Sequence, residues 1–164
     1  MKHVFWIYPG EVAGRPGPGL SPWRLHELKA GGLDAVLSVA SDLFAHSEVI
    51  SAGLIRTCMP LPDVGPPDRH VAEVCAAVLP LTFRFIEANV RQGRRILVHC
   101  AAGNDRTGLV LSHYIAKREG ISAPEAILRL RAVRPGALSS AGWEEMAVRL
   151  IPEVLRRTEG EDVR

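Results

Sequence analysis

The chain has 164 residues, 47% apolar and 23% charged, with 20 basic against 18 acidic side chains for a net charge of +2. These figures describe one globular domain with enough chain for a full core, and a charge balance that argues against a broad nucleic-acid or acidic-membrane surface while leaving room for a local basic site. Cys58, Cys75 and Cys100 are odd in number, widely spaced and form no CxxC pair, which argues against a disulfide framework and a structural zinc site.

At the N-terminus, "MKHVFWIYPG" carries only five consecutive apolar residues before Pro9, too few for a signal peptide or a membrane span, so a cytoplasmic chain is expected. Residues 3–8 read as an edge strand. "PGEVAGRPGPGL" (9–20) reads as a loop: its glycines do not fit GxGxxG, and Pro16 and Pro18 lack the N–H groups that a dinucleotide turn presents to phosphate. Ser21-Pro22 has the chemistry of a helix start, a capping hydroxyl followed by proline, and that helix should stop at Gly31-Gly32.

"DAVLSVA" (34–40) and "GLIRTCMPL" (53–61) read as strands with a short helix between them. Beyond the proline-rich turn, Val71, Val74, Cys75, Val78, Leu81 and Phe85 keep helical spacing across Pro80, which predicts a kinked or split helix. "RRILVHC" is the most apolar strand, and "DRTGLVLSHYIAKREG" a helix ending at Gly120. Ser122-Ala-Pro-Glu125 is a capping box opening a helix to about Arg134. Trp143, Met146, Ala147, Leu150, Ile151, Val154 and Leu155 form a core-facing stripe interrupted at Pro152. The expected architecture is α/β: a central, mainly parallel twisted sheet flanked by helices on both faces. A single domain should cover residues 1–158, with 159–164 a frayed tail.

The most informative stretch is "VHCAAGNDRTG", Val98 to Gly108. Cys100 ends a buried strand and a helix begins near Arg106. A loop in that position turns successive backbone N–H groups into one concavity, and the helix dipole favours negative charge there. A cysteine so placed is favoured as thiolate. Gly103 lets the loop turn, and Arg106 offers a planar pair of donors to phosphate oxygens. The loop backbone at Ala101, Ala102, Gly103, Asn104, Asp105 and Arg106 should therefore bind a phosphoryl group, with Cys100 as its nucleophile and no metal or cofactor needed.

Val98-His-Cys-x5-Arg-Thr-Gly108 resembles the signature loop of the cysteine-based protein tyrosine phosphatases, and most of all the small dual-specificity branch of bacterial and archaeal type. The resemblance implies Cys100 as nucleophile, Arg106 as phosphate binder and transition-state clamp, Thr107 as the hydroxyl that hydrogen-bonds the thiolate, and His99 as a residue tuning the cysteine. "WIYPGEVAGRPGPG" and "VRPGALSSAGW" are similar to two further loops of the branch. One departure stands out: Trp143 sits where the family often has a glutamine that orients the hydrolytic water.

The leaving group requires a general acid. Asp42, Asp63, Asp68 and Asp105 are the candidates. Asp63 lies between prolines in "MPLPDVGPPD", a stiff loop after a strand, and the resemblance also selects it. Asp68 suits a helix N-cap. Asp105 would repel phosphate if turned inward and should point outward. Arg15 and Arg134 are candidates for the pocket mouth, and Cys58 or Cys75 for trapping an oxidised Cys100.

The expected reaction is metal-independent phosphomonoester hydrolysis on a phosphorylated protein or peptide. Phosphotyrosine is favoured because Ala101, Ala102, Asn104 and Asp105 add no lysine to attract a polyanionic headgroup. Three rivals rank lower. An RNA 5′-triphosphatase would want an aromatic-lined groove, a sulfurtransferase fits the His-Cys-x5-Arg-Thr pattern poorly, and a phosphate-binding module without turnover would be expected to lack one of the catalytic groups.

Overall fold

The structure is a computed structural model and describes residues 2–41 and 46–161. Five strands, β1 (Phe5–Tyr8), β2 (Val12–Pro16), β3 (Ala35–Ser38), β4 (Ile55–Cys58) and β5 (Ile96–Cys100), form one sheet in the order β1-β2-β5-β3-β4. Only β1 runs antiparallel to its neighbour, so the sheet is mainly parallel as expected. β5 is buried along its whole length, which its unbroken Ile-Leu-Val run permits at the centre of a parallel sheet.

Strand periodicity sorts the side chains. Ala13, Val36 and Leu97 face α1 (Leu25–Ala30) and α2 (His46–Ser51), packing with Trp23, Leu28, Leu33 and Val49. Val12, Ala35, Leu37, Ile96 and Val98 face the other way, onto the larger core. There α3 (Arg69–Val90), α4 (Asp105–Glu119), α5 (Ala123–Val133) and α6 (Trp143–Glu161) supply Cys75, Ile86, Leu111, Tyr114, Ile127 and Ile151.

Several local expectations are corrected. Residues 12–16 are not loop but strand β2, paired in parallel with β5 from Val12↔Ile96 to Pro16↔Cys100. Glycine is required at Gly14 in β2, where a Cβ would stand 2.2 Å from Phe5 Cζ, and at Gly17 just beyond it, where a Cβ would stand 2.3 Å from the Cys100 carbonyl oxygen. Ser21 does not cap a helix. Its hydroxyl and carbonyl, with the Pro22 carbonyl, accept from Arg15 Nη2 at 3.1, 3.4 and 3.4 Å, and α1 begins only after Arg24, whose N–H is taken by Glu27.

Pro80 does not split α3, nor Pro152 α6. Each helix runs on past its proline, with buried residues anchoring it on both sides, Leu79 and Thr82 in α3 and Ile151 and Val154 in α6. α6 continues to Glu161, where fraying is expected from 159; residues 162–164 lie outside the described residues. Asp68 does cap α3, its Oδ1 accepting from Val71 N at 2.9 Å, and Ser122 and Glu125 form the reciprocal capping box of α5.

Candidate active site

β5 delivers Cys100 to the C-terminal edge of the sheet, and α4 starts five residues later at Asp105. Between them the loop turns tightly, with Gly103 at φ +69°, in the left-handed region. A Cβ on Gly103 would lie 2.8 Å from the Arg15 carbonyl group and from Pro16 N, so β2 forms the floor of this loop.

The loop's carbonyls are held from outside. The Cys100 carbonyl lies 3.3 Å from His99 Nδ1, the Ala101 carbonyl accepts from Gly17 N at 2.7 Å, and the Ala102 carbonyl from Arg134 Nη2 at 2.8 Å. The Asn104 carbonyl accepts from Gly108 N and Leu138 N, while its side-chain Oδ1 accepts from Arg134 Nε at 3.0 Å. With its carbonyls turned outward, a loop of this shape turns its N–H groups inward as an anion nest. Gly103 N already donates to Cys100 Sγ at 3.2 Å.

His99 is buried, and its Nδ1 contact with a carbonyl places the ring proton on Nδ1. Burial first, then the charges of Arg56, Arg106 and Arg15, push the imidazole down to about 4. It is neutral near pH 7 and contributes no positive charge to the sulfur; its contact with Cys100 is through the backbone carbonyl.

Arg106 is buried, and its Nη2 forms an ion pair with Asp63 Oδ2 at 2.8 Å, the Asp63 side chain being 75% exposed. Asp63 projects from the segment between β4 and α3, which is anchored inside by buried Leu61. Asp68, by contrast, is committed to its cap, and Asp42 lies outside the described residues. Asp105 turns its carboxylate to Ser140, accepting from the backbone N–H at 3.2 Å and the hydroxyl at 2.6 Å. Thr107 is fully buried in the first turn of α4, with its hydroxyl unpartnered, so the expected bond to the Cys100 sulfur is absent.

Two cavities meet at Cys100, Ala101, Arg106 and Asp63. One of about 200 Å³ is completed by Val64, Gly65, Ala102, Asp105, Ser140 and Trp143. The other, about 420 Å³, is completed by Gly17, Leu20, Ala40, Leu61 and Pro62 among others. Neither Arg15 nor Arg134 lines them. Arg15 is a buried cation under the loop, and Arg134 is a brace that holds Asn104 and Ala102. Its role had no local sequence signal, because the atoms that it binds lie about thirty residues away.

Trp143 does not present a polar group to the loop in the way a glutamine would. It is buried, and its Nε1 donates to the Val64 carbonyl at 3.2 Å. Of the other cysteines, Cys58 Sγ donates to the Ala40 carbonyl at 3.2 Å, and burial pushes the Cys75 thiol up to about 11. Among the described residues no group of three or more His, Cys, Asp or Glu side chains is arranged to hold a metal ion.

Comparison with known proteins places the chain in a family. The family model described as "Dual specificity phosphatase, catalytic domain" matches residues 22–147. Dual specificity protein phosphatase 12 of Mus musculus is 30% identical over 144 residues, 87% of this chain and 39% of the relative. Tyrosine-protein phosphatase cdcA of Emericella nidulans is 31% identical over 117 residues, 68% of this chain and 18% of the relative. The chain thus spans well under half the length of these relatives. Among solved structures, Tk-PTP in its active form superposes with a TM-score of 0.74 at 27% identity, covering 95% of this chain and 98% of that one. Human DUSP28 shares the fold, with a TM-score of 0.72 at 19% identity, covering 94% of this chain and 96% of that one. From Cys100 and Arg106 on one loop to the match across 22–147, the chain belongs to the dual specificity phosphatase catalytic-domain family of the cysteine-based protein tyrosine phosphatases.

Proposed function

We propose that this chain hydrolyses phosphomonoesters of proteins through a phosphocysteine intermediate. The observation that carries the reading is the meeting of three groups on one pair of cavities: Cys100 Sγ under the Gly103 N–H, the buried Arg106 guanidinium, and the Asp63 carboxyl group. In the first step the Cys100 thiolate forms a bond to phosphorus as the ester P–O bond breaks. Protonated Asp63 gives its proton to the leaving oxygen, while Arg106 and the loop amides hold the equatorial oxygens. In the second, water attacks phosphorus, Asp63 takes its proton, and the thiolate departs. Thr107, with a buried and unengaged hydroxyl, is assigned to the sulfur as it leaves.

Phosphotyrosine is the favoured substrate. Leu20, Ala40, Leu61 and Pro62 give the larger cavity an apolar wall suited to an aryl group, and the loop carries no lysine for a polyanionic headgroup. A structural neighbour, PTPMT1, has been solved in complex with PI(5)P, so a phosphoinositide is the comparison substrate. No helix among the described residues is long and apolar enough to cross a membrane. A cysteine nucleophile needs a reducing compartment, which supports assignment to the cytoplasm.

The test is p-nitrophenyl phosphate hydrolysis in EDTA. Cys100→Ser should abolish turnover, and Asp63→Asn should reduce it by on the order of a hundredfold. Faster clearance of phosphoinositide than of phosphotyrosyl peptide would overturn the substrate assignment. Phosphopeptide binding without turnover in the unaltered chain would make it a binding module.

A further inference from the structure

Trp143 opens α6 and is 2% exposed, yet it lines the smaller cavity together with Cys100, Asp63 and Arg106. Its indole N–H is spent on the carbonyl of Val64, the residue immediately after Asp63. The neighbouring Gly142 packs on the same segment: a Cβ there would stand 3.1 Å from Pro66 Cβ and 3.0 Å from Pro67 Cδ. The start of α6 therefore grips the acid-bearing segment at residues 64, 66 and 67.

That grip has a fixed base. Glu144 is held by Arg131 through contacts of 2.7 and 3.1 Å, and Ser140 is bonded to Asp105 at the start of α4. Apart from the ion pair of the Asp63 side chain with Arg106, the backbone of the segment has little else to order it near the acid. Asp63 and Val64 are both exposed, and the nearest preceding buried anchor is Leu61.

We propose that Trp143 is a positioning residue for proton transfer: its indole N–H fixes the Val64 carbonyl and so holds Asp63 over Arg106 and Cys100 before substrate arrives. The inference rests on the reading of Asp63 as the general acid. Ordering the acid in the resting protein removes that entropy from the chemical step.

The experiment compares Trp143→Phe, and Trp143 replaced by benzothienylalanine, with the unaltered chain and Asp63→Asn. Benzothienylalanine keeps the two-ring shape and places sulfur where the N–H was, so it remains decisive if the phenylalanine variant does not fold. The readout is kcat/KM across aryl phosphates of rising leaving-group pKa, with orthovanadate inhibition and melting temperature alongside. Loss of one hydrogen bond should cost about three- to tenfold on the poorest leaving groups and little on the best, with orthovanadate bound no more weakly than by the unaltered chain. A folded Trp143 variant with the unaltered slope overturns the proposal, whether or not its melting temperature falls. An unaltered slope in Asp63→Asn would overturn the acid assignment instead.

Discussion

Asp63 Oδ2 stands 2.8 Å from Arg106 Nη2, an exposed carboxylate resting on a buried guanidinium. In the proposed mechanism an incoming phosphoryl group needs the same donor, so the carboxylate and the substrate would compete for it. An ion pair with one exposed member contributes at most about 1 kcal/mol. Asp63→Asn should therefore bind orthovanadate or inorganic phosphate up to about fivefold more tightly while its turnover falls. Calorimetric titration checks this, and weaker oxyanion binding in the variant would show that no such competition exists.

Gly103→Ala should disable the loop without unfolding the chain. A methyl group there meets backbone, not a yielding side-chain tip, at 2.8 Å, and the φ of +69° is itself strained for alanine. A fall of about a hundredfold or more in kcat/KM is expected, with far-ultraviolet circular dichroism preserved. Activity within a few-fold of the unaltered chain would mean that the loop does not need this turn.

Arg134 holds two loop atoms at once, Asn104 Oδ1 and the Ala102 carbonyl. Arg134→Lys keeps the charge but not the fork, so it should fare little better than Arg134→Ala. Both should raise KM for aryl phosphate by roughly tenfold, as two neutral-acceptor bonds from a cation are lost. Full rescue by lysine would reduce the role of Arg134 to its charge.

His113 sets an acid limit on stability. It is buried on α4, packed edge-on against Phe83, with both ring nitrogens unpartnered. Burial, and then the charge of Lys117, push its imidazole from the ordinary 6.5 down to about 4. Above pH 6.5 neither state binds the proton and stability is complete. As pH falls toward 4 only the unfolded chain takes the proton, and about 2 kcal/mol is lost by pH 5. His113→Leu should therefore lose less melting temperature between pH 7 and pH 5 than the unaltered chain does, and an equal loss in both would assign the acid sensitivity elsewhere.

Legibility from sequence tracked the distance between partners. Cys100, Gly103 and Arg106 lie within seven residues, and their chemistry is written contiguously. Asp63 was marked by the prolines around it, and the Asp68 and Ser122 caps by bonds only three residues long. β2 was not legible, because a strand of Val-Ala-Gly-Arg-Pro makes sense only under a loop that arrives some 80 residues later. Nor could spacing disclose that Trp143 answers to Val64, 79 residues away. Pro80 and Pro152 do not divide their helices for a related reason: the local rule describes a lone helix, whereas α3 and α6 are held from outside by the core.

The position of β5 between β2 and β3 has a consequence for biosynthesis. The two flanking strands leave the ribosome long before the strand that joins them, and in the finished sheet each pairs with β5 and not with the other. The braces come later still, since Arg134, Leu138 and Ser140 follow Cys100 by 34 to 40 residues. A translation-arrested chain ending at residue 120 thus lacks the groups that hold the Cys100 loop from outside, and its loop amides are expected to exchange hydrogen faster than in the full chain. Vectorial synthesis in this way finishes the loop only after the last of its braces has emerged.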